Sequence, residues 1–368
     1  MNKFFAQLSL KKFILTTALF LIVSSSLSQE TKNNQKVFLI TLDGLRWQEL
    51  FTGADSLLIK NKTYVKQPRQ LNNEFWRDNH KKRREALMPF IWTEAILKGQ
   101  IFGNRKLGSN VNITNRRRFS YPGYNEILTG SKDDERITSN AKKNNLNKTI
   151  LEEFKEKNNN KKVAAFSSWD VFDYIINEER SGVYTNSGFE PSTDFPLTQE
   201  EELLNQMQQQ IPSPWGSVRF DSFTHNYALT YIKKHEPDFI YIAYGETDDF
   251  AHNGEYDSYL RSAKNTDQLI AELWNYTQNS QYYRDNTTFY ITTDHGRGTI
   301  PIDTWRSHGA NIEGSDETWF IVFGKGIKTK GEIKEKSQIF TNQIASNIRK
   351  ALGLKQKEGN QVIPIDLN

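Results

Sequence analysis

The chain has 368 residues, 48 Lys plus Arg against 44 Asp plus Glu, and no cysteine. Without cysteine it has no disulfide, no thiolate metal site and no cysteine nucleophile. Residues 1–28 hold three lysines and no acid, so the remainder carries 45 basic against 44 acidic residues. That balance gives no electrostatic signal for nucleic acid or a membrane surface.

Lys3, Lys11 and Lys12 precede an apolar run at 13–23, which is followed by small residues up to Ser28. A basic start, a short apolar stretch and small residues predict a signal peptide over 1–28, and so a periplasmic or secreted protein. The run is short for a membrane span and no second long apolar run follows, so no other membrane contact is expected. Near-continuous apolar, β-branched or aromatic runs then recur at 37–41, 162–166, 239–244, 288–292 and 319–323. Runs of this length and composition read as strands buried on both faces, the mark of a parallel sheet. Helices are predicted between them at 86–97, 223–234, 256–276 and 338–352, the last stopped by Gly353. The expected fold is α/β, with a central mostly parallel sheet, helices on both faces, and surface insertions at about 54–82 and 181–217. One catalytic domain over 36–353 and a tail at 354–368 complete this division.

Three strands end in the same kind of residue. Asp43-Gly44 follows the first, Glu246-Thr247-Asp248-Asp249-Phe250-Ala251-His252 the third, and Asp294-His295-Gly296 the fourth. In open parallel sheets the carboxyl ends of the strands form the ligand crevice, so side chains from separate strands converge there. Each piece alone reads as readily as a turn, a cap or a polar helix face. His295 and His308 sit beside Gly or Asp and His252 two residues before Gly254, all in loop-like sequence, whereas His80, His225 and His235 read as surface residues.

Asp43-Gly44, Ser120-Tyr121-Pro122, Asp248-x-x-x-His252, Asp294-His295-Gly296 and His308-Gly309, in that order, resemble the alkaline phosphatase superfamily. The nearest resemblance is to its nucleotide pyrophosphatase/phosphodiesterase branch. It covers about residues 36 to 353 and implies an alkaline-phosphatase-like fold. It also implies one metal held by Asp248, His252 and His308, and a second held by Asp43, Asp294, His295 and the Ser120 hydroxyl. Asp and His ligands suit zinc first and manganese second. Two such ions clamp both oxygens of an in-line displacement, with Ser120 as nucleophile and a phosphoseryl intermediate. Pro122 suits the first turn of a helix that begins at Ser120 and ends at Gly130, which turns N–H donors toward an anion.

The expected substrate is a small phosphorylated molecule such as a nucleotide, cleaved as a phosphodiester or pyrophosphate. Phosphomonoester cleavage is the alternative. One departure and one exclusion bear on this. Gly123 stands where the resemblance leads one to look for a phosphate-binding Asn, with Asn125 the nearest substitute. A sulfatase would show Arg four residues after the nucleophile, and here that position is Tyr124. A non-catalytic metal- or glycan-binding module would show a broken ligand set, and this set is complete.

Overall fold

The computed structural model describes residues 34–357 and 362–368, and the signal-peptide segment 1–28 lies outside them. Residues from Gln35 onward form one compact unit. Its strands in chain order are β1 (Lys36–Leu42), β2 (Gly99–Phe102), β3 (Ser109–Asn112), β4 (Val163–Ser167), β5 (Tyr184–Ser187), β6 (Phe239–Tyr244), β7 (Thr287–Thr292), β8 (Glu317–Thr318), β9 (Phe320–Gly324), β10 (Gly331–Glu332) and β11 (Ser337–Phe340). Eight of them make the main sheet in the order β10-β2-β9-β7-β1-β6-β4-β5, and β11-β3-β8 form a small second sheet. The strands from β7 through β1, β6 and β4 to β5 are parallel.

The alternation of side chains on β1 explains why that strand is apolar throughout. Phe38, Ile40 and Leu42 enter one core, and Val37 and Leu39 enter the other. β6 divides likewise, Ile240 and Ile242 one way, Phe239 and Tyr241 the other. Period-two sorting onto two covered faces removes the polar half of the usual strand pattern. Helices Asp221–His235 and Tyr256–Asn279 cover one face through Ala228, Ile232, Leu260, Ile270 and Leu273. Helices Ser120–Thr129, Ile150–Lys157 and Asn342–Leu352 cover the other through Ile127, Leu151, Phe154, Ile344 and Ile348.

The α/β architecture with a mostly parallel sheet is as the sequence predicts, with local corrections. The run at 319–323 becomes β9, which pairs antiparallel with both β7 and β2. The predicted helix at 86–97 breaks into His80–Leu87, Pro89–Thr93 and the 3₁₀ turn Ala95–Lys98. Pro89 has no N–H to give and drives Met88 out of helical geometry, to φ −129° and ψ 71°. The helix expected over 338–352 starts only at Asn342, because residues 337–340 instead pair with β3.

Residues 54–82 send Leu58, Ile59, Leu71 and Phe75 into the first core. In 181–217, β5 closes the sheet edge, and helix Gln199–Gln210 begins with a capping box between Thr198 and Glu201. The end of the chain packs back on the domain: Ile365 and Leu367 are buried, and the Leu367 carbonyl accepts from Gln100 Nε2 at 2.9 Å. No helix among the described residues is long and apolar enough to cross a membrane.

Candidate two-metal active site

The carboxyl ends of β1, β6 and β7 lie side by side, and each delivers part of one site. Asp43 follows β1 directly, helix Glu246–Asn253 starts one residue after β6 and carries Asp248 and His252, and Asp294 and His295 follow β7. Ser120 begins helix Ser120–Thr129 and is 5% exposed. His295 Nε2 is the meeting point. It lies 3.3 Å from Asp43 Oδ1, 3.4 Å from Asp294 Oδ2 and 3.4 Å from Ser120 Oγ. Beside this group, His252 Nε2 lies 3.2 Å from Asp248 Oδ2 and 3.0 Å from His308 Nε2, and His308 Nε2 lies 3.7 Å from Asp248 Oδ1. All seven residues singled out in the sequence thus converge as two adjoining sets.

Their donor atoms fit divalent metals on three counts. Zinc–oxygen and zinc–nitrogen bonds of ~2.0–2.1 Å in a tetrahedron place neighbouring ligand atoms about 3.3 Å apart, which is the spacing around His295 Nε2. Asp43 Oδ1 and Asp294 Oδ2 are buried without a hydrogen-bond donor, a costly state for carboxylate oxygens unless a cation meets them. Finally, His295 Nδ1 faces the Gly296 carbonyl at 3.0 Å and His308 Nδ1 faces the Arg118 carbonyl at 3.3 Å. A carbonyl only accepts, so each Nδ1 holds the proton and each Nε2 keeps its lone pair for a ligand role.

The electrostatics show the same need for cations. Burial, and then Asp43, push the Asp294 carboxyl well above the usual carboxylate range. Burial draws His308 well below the ordinary imidazole value, helped by the neighbouring His295, Arg297 and His252, and it draws His252 down too. At His295 burial acts the same way, but Asp294 and Asp43 outweigh it and raise the imidazole.

Residues not singled out in the sequence complete the setting. Tyr124 Oη donates to Asp43 Oδ2 at 2.8 Å, Thr247 Oγ1 donates to the Asp43 carbonyl at 2.5 Å, and Gly44 N donates to Asp294 Oδ1 at 3.1 Å. Buried Arg297 donates to the carbonyls of Gly44 and Arg306 at 3.1 and 2.8 Å and to the Asp248 carboxylate. Its only sequence signal is its place directly after Asp294-His295-Gly296. Tyr124 had a clearer one. At about 100° per residue, position i+4 of a helix returns to the face of residue i.

The same rule corrects Asn125. Five residues on, it lies about 140° round the helix from Ser120, and its side chain turns away from the site. Its Nδ2 donates to the Ser131 carbonyl at 2.8 Å, and its Oδ1 accepts from Asn145 and Asn147 at 3.1 Å each. Gly123 has a steric reason. A Cβ there would lie 2.3 Å from the Asp294 carbonyl oxygen, so the helix can approach the Asp294 turn this closely only with glycine. Exposed Asn140 meets the first turn of this helix instead, its Oδ1 accepting from Tyr121 N at 3.0 Å, one residue past Ser120.

Other expectations resolve simply. His225 is buried, against the surface reading, between Tyr244 Oη at 2.9 Å and Glu272 Oε2 at 3.1 Å. His80 is exposed, and half-buried His235 pairs with Asp194. Arg118 sits beside the site but pairs with Asp316 at 3.3 Å.

Residues 174–354 match the Sulfatase family model, a stretch that contains Asp248, His252, Asp294, His295 and His308. Among curated proteins none matches the sequence. Solved structures share the fold at low identity. The alkaline phosphatase PafA is 12% identical, with a TM-score of 0.58 over 90% of this chain and 98% of PafA. The lipoteichoic acid synthase LtaP from Listeria monocytogenes is 13% identical, with a TM-score of 0.54 over 91% of this chain and 76% of LtaP. The 2-O GAG sulfatase BT1596 is 14% identical, with a TM-score of 0.54 over 90% of this chain and 73% of that one. The chain thus has an alkaline-phosphatase-like fold, and neither the fold nor the match singles out a branch.

Proposed function

We propose that this chain is an exported two-metal hydrolase of phosphoric esters, with Ser120 as nucleophile and phosphodiesters or pyrophosphates, such as those of nucleotides, preferred over monoesters. The observation that carries the reading is the placing of Ser120 Oγ, Asp43 Oδ1 and Asp294 Oδ2 around His295 Nε2 at 3.3–3.4 Å. A hydroxyl in that company is a ligand and a nucleophile rather than a helix cap. The cap position is Phe119, and Ser120 is the first residue of the helix itself.

Asp43, Asp294, His295 and Ser120 would hold one divalent ion, and Asp248, His252 and His308 the other. Bound there, zinc or manganese supplies Lewis acidity toward the Ser120 hydroxyl and positive charge toward the leaving oxygen. Ser120 Oγ gives its proton to solvent and attacks phosphorus as the bond to the leaving group breaks, the leaving oxygen taking up a proton, and a phosphoseryl ester results. Water then cleaves the phosphoserine ester, and the two displacements give net retention at phosphorus. Asn140, at the start of the Ser120 helix, would contact a phosphoryl oxygen in place of Asn125.

Two further observations support phosphodiesters. Tyr124, where a sulfatase would carry Arg, is occupied in binding Asp43. Two of the guanidinium groups beside the site, Arg118 and Arg297, are engaged with Asp316 and with Asp248, so neither of these is left for the second charge of a monoester dianion. The sulfate-ester reading has the family match in its favour and is tested in the same assay.

The purified mature protein, with its two metals bound, is expected to cleave bis-p-nitrophenyl phosphate faster than p-nitrophenyl phosphate, and p-nitrophenyl sulfate poorly. Faster sulfate cleavage moves the chain to the sulfatase branch, and faster monoester cleavage to the phosphatases. Ser120→Ala is expected to lower turnover about 10³-fold or more with both metals retained; an active mutant removes Ser120 from its role. Export rests on the sequence of residues 1–28, and recovery of the full-length chain in the cytosol on cell fractionation would refute it.

A further inference from the structure

Three residues past Asp43 lies a buried polar unit that touches none of the metal-facing atoms. Arg46 and Glu49 have side chains 0% exposed, and Glu49 accepts Arg46 Nε at 2.8 Å together with Nη2. Arg46 Nη1 donates to the Gly298 carbonyl at 3.2 Å, and Arg46 N donates to Tyr259 Oη at 3.0 Å. Tyr256 Oη donates to Glu49 Oε1 at 2.9 Å and accepts from Asp55 N at 2.6 Å. Trp305, fully buried, meets Tyr64, Tyr256 and Tyr259 edge-on at centroid distances of 5.4, 5.2 and 5.6 Å. Next to it, Arg306 Nη2 donates to the His252 carbonyl at 2.8 Å, and the Arg306 carbonyl accepts from Arg297.

The members of this unit come from every strand end that supplies a metal-facing residue. Arg46 belongs to the Asp43 turn, Gly298 to the Asp294–His295 loop, Tyr256 and Tyr259 follow His252 closely, and Trp305 precedes His308 by three residues. A buried ion pair is a poor way to stabilise a fold, since an apolar replacement of like volume serves as well or better. What a bidentate pair does supply is a fixed distance and direction between the segments it joins. Tyrosine hydroxyls and an aromatic cage add the same constraint by hydrogen bonding and shape.

We propose that the Arg46–Glu49 pair, with Tyr256, Tyr259 and Trp305, is the positioning unit of the two-metal centre, fixing the spacing between its halves. This rests on the metal reading above and extends it to residues that meet neither metal nor substrate. Ligands must be held within a fraction of an ångström for two ions to act on one phosphoryl group. Groups behind the ligands commonly change metal affinity by about 10–100-fold when lost.

The test uses the full mature chain, metal-free and then titrated with Co²⁺, following the visible d–d bands, with the melting temperature of the metal-free protein measured alongside. Arg46→Lys keeps the charge but loses the two-pronged bond. It is expected to weaken Co²⁺ binding by about 10-fold or more, to alter the d–d bands, and to lower kcat on bis-p-nitrophenyl phosphate with KM little changed. Tyr256→Phe removes one hydroxyl and is expected to move the same readings less. A lower melting temperature with wild-type Co²⁺ affinity and bands makes the unit merely structural and overturns the proposal. Should Arg46→Lys fail to fold, Tyr256→Phe decides by the same two readings. A wild-type chain that takes up no Co²⁺ brings down the metal reading itself, an outcome distinct from normal uptake by wild type and mutants alike.

Discussion

The two halves of the site are built alike in ligand type and differently in environment. Asp294 and His295 have side chains 0% exposed, and His295 Nε2 faces Asp294, Asp43 and Ser120. On the other side the Asp248 side chain is 16% and the His252 side chain 45% exposed. The dry half has fixed dipoles on almost every atom: Tyr124 and Thr247 on Asp43, Gly44 on Asp294, Gly296 on His295. The open half sits on a helix of eight residues and a loop. Burial strengthens each electrostatic interaction and slows exchange with water. On the proposed two-metal reading, the difference suits the dry half to a retained ion beside Ser120, and the open half to meeting the leaving group and water.

The sharpest way to break this comparison is to remove one imidazole from each half. His295→Ala is expected to abolish turnover and leave the dry half without its ion, because it deletes the atom that all three neighbours face. His252→Ala is expected to keep one ion per chain, with a smaller loss of turnover; elemental analysis of the two proteins checks this, and equal losses would erase the distinction. Timed dialysis against a chelator should remove the ions in two phases, the first leaving one ion per chain. A single phase would mean that the halves exchange together.

Smaller effects sharpen the comparison further. Tyr124→Phe deletes one hydrogen bond to Asp43 and is expected to lower metal affinity in the dry half about 10-fold, with the open half unaffected. Asn140→Ala, beside the first turn of the Ser120 helix, is expected to raise KM a few-fold with metal content unchanged; an unchanged KM would leave the phosphoryl oxygen to the metals and backbone alone.

Much of the fold could be read along the chain because a sheet covered on both faces leaves continuous apolar runs. Those runs do not say which way a strand points. β9, formed from the run at 319–323, buries both faces whether parallel or antiparallel, and only its neighbours β2 and β7 decide. The Pro89 break was visible in the sequence and should have divided the helix expected at 86–97. The turn of 337–340 into a strand was not visible, since it depends on pairing with β3, far away in the chain.

The ordered motif set, by itself, determined the seven residues that converge, because strand ends in an open parallel sheet lie side by side whatever the connections between them. Sequence order also named the helix that begins at Ser120. Helix periodicity pointed to the second residue on that helix, and tertiary structure supplied its partner. Rotation of about 100° per residue brings Tyr124 to Asp43 and carries Asn125 into a buried amide network. Tertiary structure alone decided that Gly123 had to be glycine, since the reason is the Asp294 carbonyl in the turn after β7. Arg46, Glu49 and Trp305 have no spacing or motif to mark them, and their partners are brought near only by folding. The sequence by itself settled what sits at strand ends; packing between distant segments settled what holds those ends in place.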